Sequence, residues 1–302
     1  MVAVTGGTGF VGAHLLRLAT ARGLAVRALA RRPQPPQPGV EWIAGDLADT
    51  AALARLCAGA DAVIHIAGVI NARDRAGFDL GNVAGTAATV AAASAAGVAR
   101  FVHVSSLSAR EPALSDYGAS KAGAEAVVAA SDLDWTMVRP PAVYGAGDRE
   151  TLEIYRMVAR GFAVLPGDGR FSVIEVGDLG AALLALASGS GGGIFEIDDG
   201  RANGYSHADF ALAVGVAIGR RPRLVRLPAG VLRVGAAVDT AIARLGGRLP
   251  RLSFDRARYL AHPDWVVARG AGIPAEVWQP QVALAAGLAD AVAWYRAQGW
   301  LG

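Results

Sequence analysis

Tyr117 and Lys121 stand four residues apart in Tyr117-Gly118-Ala119-Ser120-Lys121. At the start of a helix that spacing puts a phenol and an amine on one face. A free phenol titrates near pH 10, so making it a proton shuttle at neutral pH takes about 4 kcal/mol. An ammonium roughly 4 Å away, at an effective dielectric of about 20, supplies about that much. Of the 29 Lys plus Arg residues, Lys121 is the single lysine. In a chain whose default cation is arginine, a compact ammonium beside a tyrosine fits a role that a fork-shaped guanidinium would crowd. The bland alternative is a surface helix start capped by Ser115 or Asp116, which explains the cap but not the lysine.

A second constellation, Thr5-Gly6-Gly7-Thr8-Gly9-Phe10-Val11-Gly12, lies between the first apolar run and the first helical stretch. Gly6, Gly9 and Gly12 permit a tight turn, close approach of a pyrophosphate and close helix–sheet packing. The first N–H groups of the helix then face the phosphates, with Thr8, Phe10 and Val11 completing the turn. A glycine triplet alone is a weak signal, but at a strand-to-helix junction it predicts dinucleotide binding. About 20 residues on, where an acid would hold a ribose 2′-OH, the chain reads Leu29-Ala30-Arg31-Arg32, with no acid before Glu41. Two guanidiniums suit a 2′-phosphate, which favours NADP, with NAD as the alternative. A solvated surface pair is the competing reading. Asp46 and Leu47, after the third strand, are also assigned to the cofactor. Asp46 would accept from the adenine amine, and helix capping is its competing role.

These groups need elements to position them. Strands are predicted at Val2 to Thr5, Leu24 to Ala30, Val40 to Ala44, Ala62 to Ile66, Phe101 to Ser105 and Thr136 to Val138. Helices are predicted at Phe10 to Arg22, Thr50 to Cys57, Phe78 to Ala96 and Tyr117 to Ala130. Strand–helix alternation of this kind means parallel strands with right-handed crossovers. Ser172 to Val176 and Ile194 to Ile197 read as further strands flanking a helix from Val176 to Ala187. Beyond about Gly200 the pattern turns helical, at His207 to Ile218 and Pro228 to Leu245, and then mixed. The fold class is therefore α/β: a doubly wound parallel-sheet Rossmann fold with a smaller, mostly helical C-terminal substrate lobe. Residues 1–150 and 172–200 are assigned to the dinucleotide-binding domain, and 151–171 and 201–302 to the lobe.

Composition narrows the function. The chain of 302 residues is 53% hydrophobic and 18% charged, which argues against disorder and supports a large core. One cysteine, Cys57, rules out an intrachain disulfide and a cysteine-clustered zinc site. The net charge is +3 with scattered arginines and no basic arm interleaved with aromatics, so nucleic-acid binding is disfavoured. No apolar run is long enough to span a bilayer. The first residues carry no secretory pattern, so a cytoplasmic location is expected.

Beyond the glycines, the chain resembles the short-chain dehydrogenase/reductase superfamily, in its extended or atypical branch. That branch holds epimerases, dehydratases and reductases similar to 3β-hydroxysteroid dehydrogenase. The resemblance rests on His65-Ile66-Ala67-Gly68, Asn82-Val83-Ala84-Gly85-Thr86, Val102-His103-Val104-Ser105-Ser106, YGASK at 117–121 and Arg139-Pro140-Pro141-Ala142-Val143-Tyr144-Gly145. It implies Tyr117 as general acid/base, Lys121 as the residue lowering its pKa, and Ser106 as the holder of the substrate oxygen. Ala67 and Gly68 would pass the cofactor riboses, and Pro140 to Val143 the nicotinamide carboxamide. Asn82 is read as a helix-kink and hydrogen-bonding residue, His65 and His103 as buried histidines, and Glu125 and Asp178 as ion partners in the fold. The family resemblance also implies a homodimer through the two long helices.

Two departures from the sugar-nucleotide epimerases point away from them. The Ser106–Tyr117 connection is short, and no uridine diphosphate clamp is evident unless Arg220, Arg221 and Arg223 form one. The expected activity is an NAD(P)-dependent oxidoreductase moving a hydride between nicotinamide and a carbonyl or alcohol of a small, apolar substrate, with no metal. Val69, Ile70, Arg73, Leu107, Val143, Tyr155 and Phe171 are the expected substrate liners. A sugar-nucleotide epimerase or dehydratase with tightly held NAD is the first alternative. A non-catalytic cofactor-binding assembly or sensor protein is the second, against which the retention of both Tyr117 and Lys121 argues.

Overall fold

Short runs of Val, Ile and Ala bounded by Gly and polar residues are the sequence of strands buried on both faces. A computed structural model describes residues 1–189, 192–226 and 254–302, together with residues 230, 234, 237 and 239. The chain folds as two compact units. Met1–Pro140, Gly177–Ile197 and Arg269–Gln279 form the first, and Pro141–Val176, Asp198–Ala268 and Pro280–Gly302 the second.

In the first unit, β1 (Val2–Thr5), β2 (Val26–Ala30), β3 (Val40–Ala44), β4 (Ala62–His65), β5 (Arg100–Val104) and β6 (Trp135–Arg139) alternate with α1 (Phe10–Ala21), α2 (Thr50–Cys57), α3 (Arg75–Asp79), α4 (Gly85–Ala95) and α5 (Asp116–Ala129). In the second come β7 (Ala142–Tyr144), α6 (Leu152–Ala159), β8 (Phe162–Leu165), β9 (Arg170–Phe171) and β10 (Val173–Glu175). Then α7 (Val176–Ser188) leads to β11 (Gly193–Glu196), which completes the main sheet of the first unit. That sheet has seven strands in the order β11-β6-β5-β4-β1-β2-β3, every neighbour parallel. The order reverses direction between β1 and β4. The ligand crevice of an open α/β sheet lies at such a switch point, outside the carboxyl ends of the strands.

The core of the first unit explains why these segments hold. Phe101, Val63, Leu53, Leu56, Cys57, Met137 and Val128 are fully buried, stacking α2 and α5 onto the sheet. The stretch expected as one helix from Phe78 to Ala96 begins earlier and is broken. Asp74 caps α3 by accepting from the Gly77 N–H at 2.9 Å. A π-turn over Leu80–Ala84 then separates α3 from α4, where Asn82 turns its amide toward another segment.

The second unit has its own core of Tyr144, Tyr155, Val158, Phe210, Val214, Leu288 and Tyr295. It contains β12 (Tyr205–Ser206), α8 (His207–Ile218), β13 (Arg223–Arg226) and helices over Phe254–Ala261 and Leu284–Ala297. Short strand pairs β10-β7 and β13-β8, and the trio β12-β9-β14 with β14 at Asp264–Trp265, tie these helices together. Residues 141–150, read from sequence with the dinucleotide-binding portion, belong to this unit because β7 pairs with β10. Residues 269–279 return to the first unit, where the Glu196 N–H donates to the Ala271 carbonyl at 2.9 Å. The helix expected at Pro228 to Leu245 lies outside the described residues. Among the described residues no helix is long and apolar enough to cross a membrane.

Candidate functional site

The glycine-rich turn is built so tightly that side chains cannot enter it. Gly6 has φ +74°, and a Cβ there would lie 2.7 Å from the Ala67 nitrogen. A Cβ on Gly12 would lie 2.1 Å from the Gly6 carbonyl oxygen. Gly9 precedes α1 and no side chain caps the helix. The first N–H groups of α1 are thus left for an anion, as a dinucleotide pyrophosphate requires. The turn formed by Gly6, Thr8, Gly9, Phe10, Val11 and Gly12 has the shape that the pyrophosphate of NAD(P) needs. Arg31 and Arg32 are exposed just past β2, and neither is in an ion pair among the described residues. Asp46 is exposed and its carboxylate holds the Ala48 N–H at 2.9 Å. The α2 cap falls to Asp49, which accepts from the Ala52 N–H. Leu47 is half-buried against Gly85.

The second cluster forms where β4 and β5 end against α5. Ser115 caps α5 by accepting from the Gly118 N–H at 3.0 Å, which fixes the start of the helix one residue before Tyr117. Lys121, one turn on, is buried and donates to the Val104 carbonyl at 2.7 Å. A Cβ on Gly68 would lie 3.9 Å from Lys121 Nζ. The end of β4, the end of β5 and the lysine therefore meet. Burial pushes the Lys121 ammonium down to about 8, opposed by the negative charge of Glu125. Tyr117 is half-buried, its ring 6.0 Å from that of Phe78.

Ser106 is the residue before the 3₁₀ turn Leu107–Arg110. Its Oγ accepts from the Ser108 N–H at 3.2 Å and from the Ser108 hydroxyl at 2.8 Å. A hydroxyl has two acceptor sites and one proton. With both acceptor sites used, Ser106 keeps its O–H as a donor.

Asn82 joins these parts, and its partners could not be read from spacing. Its Oδ1 accepts from the Val69 N–H at 2.6 Å. Its Nδ2 donates to the Val69 carbonyl at 3.0 Å and to Ser120 Oγ at 2.8 Å. Ser120 in turn donates to the Tyr117 carbonyl at 2.8 Å. One buried amide thus ties the loop after β4 to the first turn of α5. The sequence marks Asn82 as a helix-kink and hydrogen-bonding residue through the family resemblance, without identifying its partners.

Two buried imidazoles lie beneath the site. His65 bonds Thr5 Oγ1 at 2.7 Å and Thr86 Oγ1 at 3.0 Å, and stacks on His103 at 5.4 Å. Thr5 Oγ1 also accepts from the Ala67 N–H at 3.2 Å. Neither nitrogen of His103 has a partner among the described residues. Burial, reinforced by the Lys121 charge, lowers the His65 pKa to about 3 and moves that of His103 the same way.

The folded pKa lies below the unfolded one, so stability is fully present above about pH 6.5 and falls as the pH drops toward 3. His65 alone should cost about 2 kcal/mol at pH 5 relative to neutral pH. Denaturant unfolding at pH 7 and pH 5 checks this. The loss should shrink in a His103→Leu protein, which has one fewer imidazole to charge. Equal stability of the native chain at both pH values contradicts the assignment.

The remaining expected residues divide. Ala67 and Gly68 follow β4 beside the glycine turn, and Pro140 is buried with its carbonyl accepting from the Leu107 N–H at 3.0 Å. Val69 is half-buried, while Ile70 and Arg73 are exposed on the same loop. Leu107, expected as a substrate liner, is 1% exposed and packs inward under its own 3₁₀ turn. Tyr155 is likewise corrected. It is fully buried in the second unit, edge-on to Tyr295 at 5.0 Å, because α6 turns that face to the core. Val143 and Phe171 are half-buried in the second unit, Phe171 against His207 and Phe210. Arg220, Arg221 and Arg223 are all exposed, and Arg220 is engaged with the Ala159 carbonyl at 2.7 Å.

Residues 6–185 match the family described as NAD(P)H-binding. The chain belongs to it. Its relatives and structural neighbours place it in the extended short-chain dehydrogenase/reductase superfamily. A ceramide reductase of Caulobacter vibrioides is 41% identical across all of this chain and 96% of its own. A ketoreductase of Stigmatella aurantiaca, acting on a farnesylated dihydroquinoline oxide, is 34% identical over 65% of this chain and 67% of its own. Among solved structures, MoeE5 in complex with UDP-glucuronic acid and NAD superposes with a TM-score of 0.73 at 25% identity, covering 98% of this chain and 99% of that one. A human epimerase family protein with NADPH shares the fold at a TM-score of 0.73 and 22% identity, over 97% and 99% of the two chains. This extended short-chain dehydrogenase/reductase is an NAD(P)-dependent enzyme of the oxidoreductase or epimerase type, on a Rossmann fold with a seven-stranded parallel sheet.

Proposed function

We propose that the enzyme uses NADPH to reduce a carbonyl on a long-chain, ceramide-like lipid. The observation that carries the reading is identity of 41% with a ceramide reductase through the whole chain. The neighbour holding a sugar nucleotide reaches only 25%.

A reduced nicotinamide cofactor held at the glycine turn would supply the hydride that the carbonyl carbon needs and would leave oxidised. The Ser106 hydroxyl, its acceptor sites already taken by Ser108, donates to the carbonyl oxygen and fixes its position. The Tyr117 hydroxyl gives that oxygen its proton, so that the C=O becomes an alcohol. With a pKa of about 8, Lys121 is mostly ammonium at pH 7. From that buried position its charge favours the phenolate that the proton transfer leaves behind. Ala67, Gly68 and Pro140 border the cofactor. Val69, Ile70 and Arg73 remain as the substrate liners of the first unit.

Arg31 and Arg32 would carry the preference for NADP. Replacing both by Ala should weaken NADPH binding by about 10- to 100-fold, since hydrogen bonds to charged groups are worth roughly 1.5–3 kcal/mol. NADH binding should hardly change. Calorimetric titration of both cofactors checks this, and equal losses for the two would remove the pair from the 2′-phosphate.

The activity itself is tested by NADPH oxidation with a soluble N-acyl keto analogue of a long-chain amino alcohol. The expected result is turnover with that lipid and none with UDP-sugars. Firmly retained NAD with UDP-sugar conversion would instead establish epimerisation. The reading also carries a cytoplasmic homodimer. Light scattering at twice the chain mass and recovery in the soluble cell fraction are its expected results.

A further inference from the structure

We propose that Glu125 is a positioning residue for this reaction: clamped between Ser105 and Arg139, it holds α5 against the ends of β5 and β6 so that Ser106, Tyr117 and Lys121 keep one relative geometry. The inference rests on the roles given to those three residues above.

Glu125 is 7% exposed on α5, one turn beyond Lys121. Its Oε1 accepts from Ser105 Oγ at 2.5 Å and from Arg139 Nε at 2.8 Å, and its Oε2 accepts from Arg139 Nη2 at 2.6 Å. The chain of contacts goes on. Arg139 Nη1 lies 3.6 Å from Glu196 Oε1, and Arg110 Nη1 lies 3.4 Å from Glu196 Oε2. Ser105 and Arg110 flank the segment that begins with Ser106. Glu125 anchors its front and Glu196, on β11, its back.

Lys121 adds the third pin through the Val104 carbonyl, so the backbone at 104 and the side chain at 105 are both held from α5. A buried ion pair contributes little net stability over an apolar replacement of similar shape, because desolvation offsets the attraction. What the carboxylate supplies here is direction, through a bidentate fork and a hydroxyl that fix three elements at once.

The same carboxylate has an electrostatic consequence. The charged and titratable groups coupled to Lys121 are Glu125 from α5, His65 from β4 and His103 from β5, with Arg139 of β6 beyond Glu125 and Tyr117 one turn back on the same helix. Both imidazoles are neutral at pH 7. Glu125 therefore favours the ammonium, and its neutral amide would release that help.

The test compares native enzyme with Glu125→Gln, Ser105→Ala, the double variant and Tyr117→Phe. It uses NADPH and the soluble keto analogue, reading kcat, KM, the pH profile of kcat and thermal unfolding. Glu125→Gln should lower kcat by about 10- to 100-fold, the size that small misplacements of reacting groups produce. KM for NADPH should stay near native, and the alkaline limb of kcat should move to lower pH. Ser105→Ala should lower kcat by a smaller factor. The double variant should be little worse than Glu125→Gln alone, since both act through one contact.

Native kcat and an unmoved limb in Glu125→Gln, even with weakened folding, would make the pair merely structural and overturn the inference. If Glu125→Gln does not fold, native kcat in Ser105→Ala overturns it by itself. Tyr117→Phe separates the levels. An inactive Tyr117→Phe with native rates in the other variants defeats only the role of Glu125, whereas an active Tyr117→Phe defeats the reading of the site beneath it.

Discussion

The Tyr117→Phe protein loses turnover by about 10²- to 10⁴-fold, the contribution expected of a positioned proton donor, while binding NADPH as the native enzyme does. The exchange removes one oxygen and keeps the ring against Phe78. The first turn of α5 is held independently, by Ser115 at its cap and by Ser120, itself held by Asn82, at the Tyr117 carbonyl. Loss of rate without loss of cofactor affinity therefore isolates the proton transfer. Steady-state kinetics with a parallel fluorescence titration of NADPH makes the comparison. A protein whose kcat is native after this exchange takes its proton from elsewhere. A protein that has lost NADPH binding as well has been disturbed beyond the hydroxyl.

The second large effect belongs to the glycine turn. Gly12→Ala places a methyl 2.1 Å from the Gly6 carbonyl oxygen and 2.7 Å from the Gly7 Cα, both backbone atoms that cannot swing aside. Relief requires α1 to move off the turn that supplies its N–H groups to the phosphates. Overpacking of this kind costs about 1–3 kcal/mol or more in stability. The expected result is an NADPH dissociation constant raised by about 100-fold, if that energy is also lost from binding.

Gly23→Ala is the matched control. Gly23 also has a positive φ, +72°, yet a Cβ there meets nothing within 4 Å. It should cost about 1–2 kcal/mol of folding stability for the left-handed backbone and leave cofactor affinity alone. Similar NADPH affinities in the two variants would show that close approach at Gly12 does not shape the site.

How far the sequence reveals this molecule depends on whether a feature is local. The strands of the first unit and the helix at His207–Ile218 are legible because apolar runs, glycines and caps lie within a few residues of each other. The glycine turn and the Tyr117–Lys121 pair are legible for the same reason. The kink in the 75–95 helical region is signalled at Asn82 by the family resemblance, but its partners are not legible, since Val69 and Ser120 lie 13 and 38 residues away. Glu125 reads as an ion partner in the fold, but its bond to Ser105 depends on how α5 lies across the end of β5. Tyr155 misleads for a related reason. A tyrosine on a short helix looks like a pocket residue until the packing of α6 in the second unit shows its ring enclosed.

The central claim is that hydride passes from nicotinamide to a substrate carbon in a net reduction supported by Ser106, Tyr117 and Lys121. It is tested most directly by following label from NADPH deuterated at C4 of the nicotinamide into the product of the keto-lipid analogue. Mass spectrometry should find deuterium on the carbinol carbon in amounts matching the NADP⁺ formed, with label transfer abolished by Tyr117→Phe. A turned-over substrate carrying no deuterium, with the label still on the cofactor, would contradict it.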